Sequence, residues 1–451
     1  MLMPFSTFSY ADSDPLVETE AAMITSIDTQ INNAQSVIRL EKQEDDLWAR
    51  VRQGYGIPDL NNALVDSQLN WYSARSAYIL RTTTRASLYL YHVVEELEKR
   101  GMPSELALLP FIESAFNPQA VSSAKASGMW QFIPSTGRDF DLKQNMFKDE
   151  RRGVLDSTDA ALSYLQKLYD MFGDWQLALA AYNWGEGSVQ RAIKKQEAAG
   201  LPIDFNSMSY LMPKETQNYV PKLQAVKNII NHPELFNIEL PQVKNEPYFL
   251  VVDKTRDIDV KIAAQLAELT VTEFKKLNPQ FNRPIITGDA DTKILLPAEN
   301  LEIFQSNLDK WKGPLSTWAA YTVPKNERVE SIARRVGAEV SLIREVNQIP
   351  ANMLVKAGST LLVPRSAQKE HSDISQQIVD HAILTLARAS VSKRNRKSSF
   401  TLAARSTATK SVSKRIATNP FAKTLTTKST LVSKRAKKMS VAQFKAREPS
   451  F

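Results

Sequence analysis

The 451-residue chain has no cysteine. That excludes disulfides, thiolate metal sites and a cysteine nucleophile, and also a lipid-bearing cysteine within the sequence as it stands. It does not fix a compartment. No run of about eighteen or more apolar residues occurs, so no membrane-crossing helix is expected. Histidine is scarce, and the four present show no metal-ligand spacing. Acid is missing from a long stretch around one carboxylate. Between Glu105 and Asp139 the only acidic residue is Glu113, set behind Leu108, Leu109, Pro110, Phe111 and Ile112. An isolated carboxyl in apolar company has a raised pKa, because desolvation disfavours its charged form. That suits a general acid. Composition leaves a second reading open, in which Glu113 merely ends a buried helix.

A chain this long holds two to four domains with real cores. The formal net charge of +8 hides a division. Residues 366–451 carry 18 Lys+Arg against 4 Asp+Glu, a net of +14, which leaves −6 for residues 1–365. The last segment contains no glycine and repeats Val-Ser-Lys-Arg at 391, 412 and 432. This composition predicts a disordered basic tail able to attract an anionic membrane or another polyanion. At the other end, Ser9-Tyr10-Ala11 has the small-x-small pattern that precedes signal cleavage, but no charged region comes before it. Residues 1–11 therefore read either as a clipped export signal or as a polar terminus.

Residues 1–84 read as a mostly helical lead-in, with helix-compatible spacing over 16–50 and again over 60–83. From Ala86 to Arg100, Leu88, Leu90, Val93, Val94 and Leu97 form an apolar face that stops at Gly101 and Pro103, and Ser104 is placed to cap the next helix. Glu113 falls near the end of a short helix before Asn117-Pro118. Further helices are expected at 156–172, 174–183 and 215–231. Beyond about residue 246 the texture changes. "YFLVV", two short helices and "KILLP" are followed from 321 by "YTV", two short helices and "TLLVP", with Ile262–Asn278 matching Ile332–Asn347 within one residue. Two βααβ units of about fifty residues are predicted.

Cleaving a sugar chain ordinarily needs an acid and a second carboxylate. Asp139, Asp141, Asp174, Glu186 and Glu215 are candidates by chain position only. Four blocks bear on this choice: "IESAFNP", "SSAKASGMWQFIPSTG", "ALAAYNWGEG" and "PKETQNYVPK". In order and over roughly 150 residues, they resemble the motif blocks of the lysozyme-like lytic transglycosylase domain. The two βααβ units resemble LysM carbohydrate-binding modules, and the combination is similar to the membrane-bound lytic murein transglycosylase D family.

The resemblance implies an α+β multidomain chain. A mainly α lysozyme-like catalytic domain over 85–235 would follow the lead-in, then a degenerate LysM-like module over 246–300, a LysM module over 316–365 and the tail. It implies that Glu113 is the acid/base and that Ser114 completes its Glu-Ser signature. Ser122 matches the serine facing the substrate's acetamido group, and Gln131 closes the Gly-x-x-Gln motif begun at Gly128. Tyr182 and Asn183 match the Ala-Tyr-Asn block, and Glu215 and Tyr219 the last one. Met129-Trp130 departs from the family's Leu-Met. Trp130, Trp184 and Phe132 suit either a core or sugar stacking. The second module has Asn326-Glu327-Arg328 where the family favours Gly-Asp-Thr. The first has the longer insert "NPQFNRPIITGDAD" and reads equally as a packing spacer or a glycan binder.

The implied reaction is non-hydrolytic cleavage between N-acetylmuramic acid and N-acetylglucosamine, leaving 1,6-anhydro ends, with no metal or organic cofactor. Peptidoglycan strands in the periplasm or cell envelope are the implied partner, and no specific nucleic acid is. A goose-lysozyme-like hydrolase and a catalytically silent LysM wall-binding protein are the alternatives.

Overall fold

The computed structural model describes residues 45–288, 292–365 and 372–388. The expectations for residues 1–44 and for the Val-Ser-Lys-Arg repeats lie outside them.

Helix α1 (Leu47–Gln53) starts on Asp46, whose carboxylate accepts the Trp48 amide at 3.1 Å. Helix α2 (Ala63–Ser73) starts on Asn62, which accepts the amides of Leu64 and Val65 at 3.0 Å each. These side chains satisfy donors that a helix N-terminus leaves free. The single helix read over 60–83 is two, because the Arg75 amide turns back to the Tyr72 carbonyl at 2.8 Å before α3 (Ser76–Ala86) begins. Helix α4 (Leu90–Lys99) buries Leu90, Val93, Val94 and Leu97 completely, each contributing roughly 1.5–3 kcal/mol. It ends before Gly101, whose φ of +63° suits the left-handed turn.

Ser104 does not cap. It begins a 3₁₀ turn (Ser104–Leu108), and its hydroxyl donates to the Val51 carbonyl, tying the turn to α1. Helices α5 (Leu109–Ser114), α6 (Pro134–Asp139), α7 (Val154–Phe172), α8 (Trp175–Trp184), α9 (Glu186–Ala198) and α10 (Tyr219–Asn231) follow, with single helical turns at Phe205–Met208 and Lys214–Gln217, the latter separate from α10. Helix α10 lies along α2 and also meets α5 and α8. Val65, Tyr72 and Ile79 of α2 and α3 share one apolar core with Leu90, Phe111, Leu165 and Ile229. The lead-in helices are therefore walls of the same helical body.

Next come two βααβ modules, so the fold is mixed α+β. In the first, β1 (Phe249–Asp253) and β2 (Lys293–Pro297) pair antiparallel, Phe249 opposite Pro297, around α11 (Val260–Leu266) and α12 (Val271–Leu277). Helix α13 (Leu301–Lys310) follows. In the second, β3 (Trp318–Thr322) and β4 (Thr360–Pro364) pair likewise around α14 (Val329–Val336) and α15 (Val340–Asn347). The repeat extends to one buried side chain. Asn278 donates to the carbonyls of Phe274 (3.1 Å) and Leu295 (2.7 Å) and accepts the Leu295 amide (2.9 Å). Asn347 does the same with Ile343 (2.9 Å) and Leu362 (2.8 and 2.7 Å). Each asparagine welds the second helix of its module to the last strand.

Residues 372–387 correct the expectation of a disordered tail starting at 366. Ile374, Val379 and Ala382 are buried, and the Thr360 amide donates to the Ile383 carbonyl at 2.8 Å. The reason is local. This stretch contains no lysine or arginine, a fact hidden when charge is averaged to residue 451.

Candidate active site

Two carboxyl groups follow α4, and their surroundings differ. Glu105 is buried, accepts the amides of Gly56 and Ile57 at 2.9 Å each, and faces Lys227 at 3.0 Å. These contacts satisfy a buried carboxyl with a structural role. Glu113, half-buried at the end of α5, accepts the Tyr219 hydroxyl. Burial pushes the Glu113 carboxyl up to about 7. The Tyr219 hydrogen bond opposes this, the Glu215 charge adds to it, and Lys222 subtracts. A carboxyl that keeps its proton to neutral pH is equipped to donate it.

The chain around Glu113 is strained. Ala115 and Phe116 follow with φ of +52° and +54°, conformations that L side chains adopt at a cost of about 1–3 kcal/mol each. Arg85 holds the first by donating to the Ala115 carbonyl at 2.7 Å. This turn sends the backbone away so that α5 ends at the site.

The facing loop, residues 120–132, is fixed to α5 and α8. Ser114 Oγ donates to the Met129 carbonyl at 2.9 Å, and Tyr182 OH donates to the Trp130 carbonyl at 2.8 Å. Burial and then the Glu113 charge push the Tyr182 and Tyr219 hydroxyls well above their ordinary range, so both remain protonated donors. Glu113, Tyr219 and Tyr182 are thus electrostatically coupled, with Ser114 bracing the loop.

The remaining residues singled out from the sequence make bonds of their own. Ser122 accepts the Ala126 amide at 3.1 Å, closing its own turn. Gln131, at φ +52°, donates to the carbonyls of Gly128 (2.7 Å) and Ala120 (3.4 Å). Asn183 accepts the Thr216 hydroxyl at 2.7 Å, joining the third and fourth blocks, and Glu215 is exposed. Of the other carboxylates, Asp174 caps α8 through the Leu177 amide (2.7 Å) and Glu186 accepts the Tyr164 hydroxyl (3.0 Å). Among the described residues, no group of three or more His, Asp or Glu could hold a metal ion.

Trp130 is 0% exposed and donates to Thr158 Oγ1 at 3.1 Å, and Phe132 is also buried. Both are core, which removes the sugar-stacking reading for them. Sequence reasoning missed Arg151, which donates to the Lys125 and Phe132 carbonyls at the two ends of the Gly128–Gln131 loop. A Cβ on Gly128 would lie 1.8 Å from the Arg151 carbonyl oxygen, which explains the glycine beyond its φ of +87°. The charged run Asp149-Glu150-Arg151-Arg152 reads as a solvated face, and no local signal distinguishes it.

The helical body with Glu113 at the end of α5 and the two βααβ modules define a class. Residues 92–201 match the transglycosylase SLT domain, residues 248–313 the LysM-like domain of lytic transglycosylase MltD, and residues 321–364 the LysM domain. The membrane-bound lytic murein transglycosylase D of Escherichia coli K12 is 34% identical over 359 residues, 76% of this chain and 77% of that protein. The chain belongs to that family. A putative tributyltin chloride resistance protein of an Alteromonas species is 37% identical over 196 residues, 43% of this chain and 87% of the relative. A solved inactive mutant of the lytic transglycosylase Slt from Pseudomonas aeruginosa aligns at 24% identity and a TM-score of 0.26, covering 33% of this chain and 24% of that one.

Proposed function

We propose that this protein is a peptidoglycan lytic transglycosylase in which Glu113 is the sole acid and base. The observation that carries the reading is the Glu113 carboxyl at the end of α5, accepting the Tyr219 hydroxyl while burial raises it to about 7, with its charge felt at the Tyr182 hydroxyl. Glu113 donates its proton to the glycosidic oxygen as the bond from C1 of N-acetylmuramic acid breaks, and the acetamido oxygen of that sugar closes on C1. The Glu113 carboxylate, stabilised by the Tyr219 hydroxyl, then takes the proton of the muramoyl C6 hydroxyl. The C6 oxygen attacks C1, the acetamido oxygen leaves, and a 1,6-anhydro ring remains with Glu113 protonated again. An intramolecular hydroxyl outcompetes water through proximity.

Ser114 and Tyr182 shape the wall facing the sugar, while Ser122, Gln131, Asn183 and Glu215 line its approaches. The Escherichia coli relative carries "membrane-bound" and "murein" in its name, and we assign this chain to the cell envelope on that relationship. Among the described residues no helix is long and apolar enough to cross a membrane. The basic segment beyond Arg388 would add electrostatic attachment to anionic lipid, weakening as salt rises.

Hydrolysis is the second reading, and one observation favours it: the exposed Glu215 is close enough for its charge to be felt at Glu113. The test of the reading is Glu113→Gln, which keeps the shape of the site and removes the proton. Cleavage of purified sacculi should cease while binding persists. Substantial turnover by the purified variant would remove Glu113 from the role.

A further inference from the structure

The loop carrying Gly128–Gln131 is gripped from two sides. Ser114 and Tyr182 hold the Met129 and Trp130 carbonyls from the Glu113 side. From the other side, Arg151 donates to the carbonyls of Lys125 at 2.8 Å and Phe132 at 3.1 Å. Arg151 is 8% exposed, and its Nε and Nη2 meet the Asp149 carboxylate at 2.9 and 2.7 Å. Such a two-point pair fixes geometry as well as charge.

Asp149 follows a turn that the Asn145 amide closes on the Lys148 carbonyl at 2.9 Å, and the first βααβ module docks on this turn. The Asp149 amide donates to the Gln280 carbonyl at 2.9 Å, and the Asn282 amide donates to the Phe147 carbonyl at 2.7 Å. Lys148 and Phe281 form an antiparallel bridge between them. The Asn282 side chain donates to the Asn145 carbonyl at 3.1 Å and accepts from Arg152. Residues 280–282 thus add to the turn as a short strand, with main-chain bonds setting its register and the Asn282 side chain pinning it to Asn145 and Arg152. They lie in the insert by which this module departs from the LysM pattern.

We propose that Gln280, Phe281 and Asn282 are positioning residues for the reaction at Glu113. The module fixes the turn, the turn fixes Arg151 through Asp149, and Arg151 fixes the loop facing the reacting sugar. The first module is on this account a structural part of the active site. The inference rests on the reading of Glu113 as the acid. Misplacing a reacting group by about 1 Å can cost a hundredfold in rate, and loss of the brace acts on that alignment more than on ground-state binding.

The test uses the full-length protein, soluble peptide-free glycan strands and hydrogen exchange. Asn282→Ala should lower kcat by about tenfold or more with KM within about twofold. Asn282→Asp, which keeps the acceptor for Arg152, should recover part of the loss. Exchange should quicken at the amides of Ser127 and Gly128, bonded to the Phe132 and Ala120 carbonyls at 3.0 Å each, with the α10 amides unchanged. Wild-type kcat in Asn282→Ala, or unchanged exchange at those two amides, overturns the proposal. If Asn282→Ala does not fold, Asp149→Asn is read in the same way, since it keeps the Gln280 bond and weakens only the grip on Arg151. If the wild-type protein releases no product, the reading of the reaction fails and the exchange measurement alone decides the brace.

Discussion

Replacing Glu113 by glutamine should stabilise the protein, and by an amount that depends on pH. The Glu113 carboxyl moves from 4.5 in the unfolded chain to about 7 in the fold, with burial as the chief cause. Because the folded value is the higher one, the native state holds a proton that the unfolded chain releases. Below pH 4.5 both states are protonated and no penalty exists. Between 4.5 and 7 stability falls as pH rises, and above about 7 the penalty is complete. At about 1.4 kcal/mol for each tenfold change, its upper value is about 3 kcal/mol, and the partial exposure of Glu113 makes the true figure smaller. Glutamine carries no such burden, and its amide oxygen still accepts from Tyr219. The assay is urea unfolding of both proteins from about pH 4 to 8.5, taking the difference at each pH. Asp156, whose carboxyl burial also raises to about 6, is common to both proteins and cancels. The difference should grow from pH 4.5 to 7 and then level off. A difference that is flat across this range would refute the assignment of a half-buried Glu113 held neutral by the fold.

The rate should follow the same proton. With Glu113 required in its acid form, kcat on soluble glycan should fall about tenfold per pH unit above roughly 7. Tyr219→Phe removes the one hydrogen bond that favours the Glu113 carboxylate, so the basic limb of that profile should move to higher pH; a limb that stays in place or moves down would contradict the pairing. Gly128→Ala puts a methyl 1.8 Å from the Arg151 carbonyl oxygen at a φ of +87°. It should destabilise by about 3 kcal/mol or more and abolish turnover, as checked by denaturant midpoint and activity. Asn347→Ala breaks three buried bonds in the second module, and a loss of about 2–4 kcal/mol there should appear as faster hydrogen exchange in β4 before the helical body opens.

Local regularity made much of the fold legible. The apolar face of α4, the short helix ending at Glu113 and the paired βααβ units all follow from spacing, and the matching places of Asn278 and Asn347 at the ends of their second helices are visible in the repeat itself. Glu113 stood out because no other acid lies near it in sequence. The illegible features depend on partners far along the chain. Ser104 has the composition of a cap, but its hydroxyl goes to Val51, and nothing near residue 104 encodes that. Trp130 could have faced a sugar, and only its bond to Thr158 puts it in the core. Asp149 and Arg151 look like surface charges because the strand that covers their turn, residues 280–282, is remote in the chain. Residues 372–387 were hidden by the positive charge of the segment beyond Arg388.

The central claim is that one carboxyl and a sugar hydroxyl, rather than two carboxyls and water, complete the cleavage. Mass analysis of the soluble products that the wild-type protein releases from purified sacculi tests this most directly. Muropeptides ending in 1,6-anhydromuramic acid, each lighter by one water than its hydrolysed counterpart, are the predicted result. Products ending only in reducing muramic acid would contradict the account and assign the second step to water.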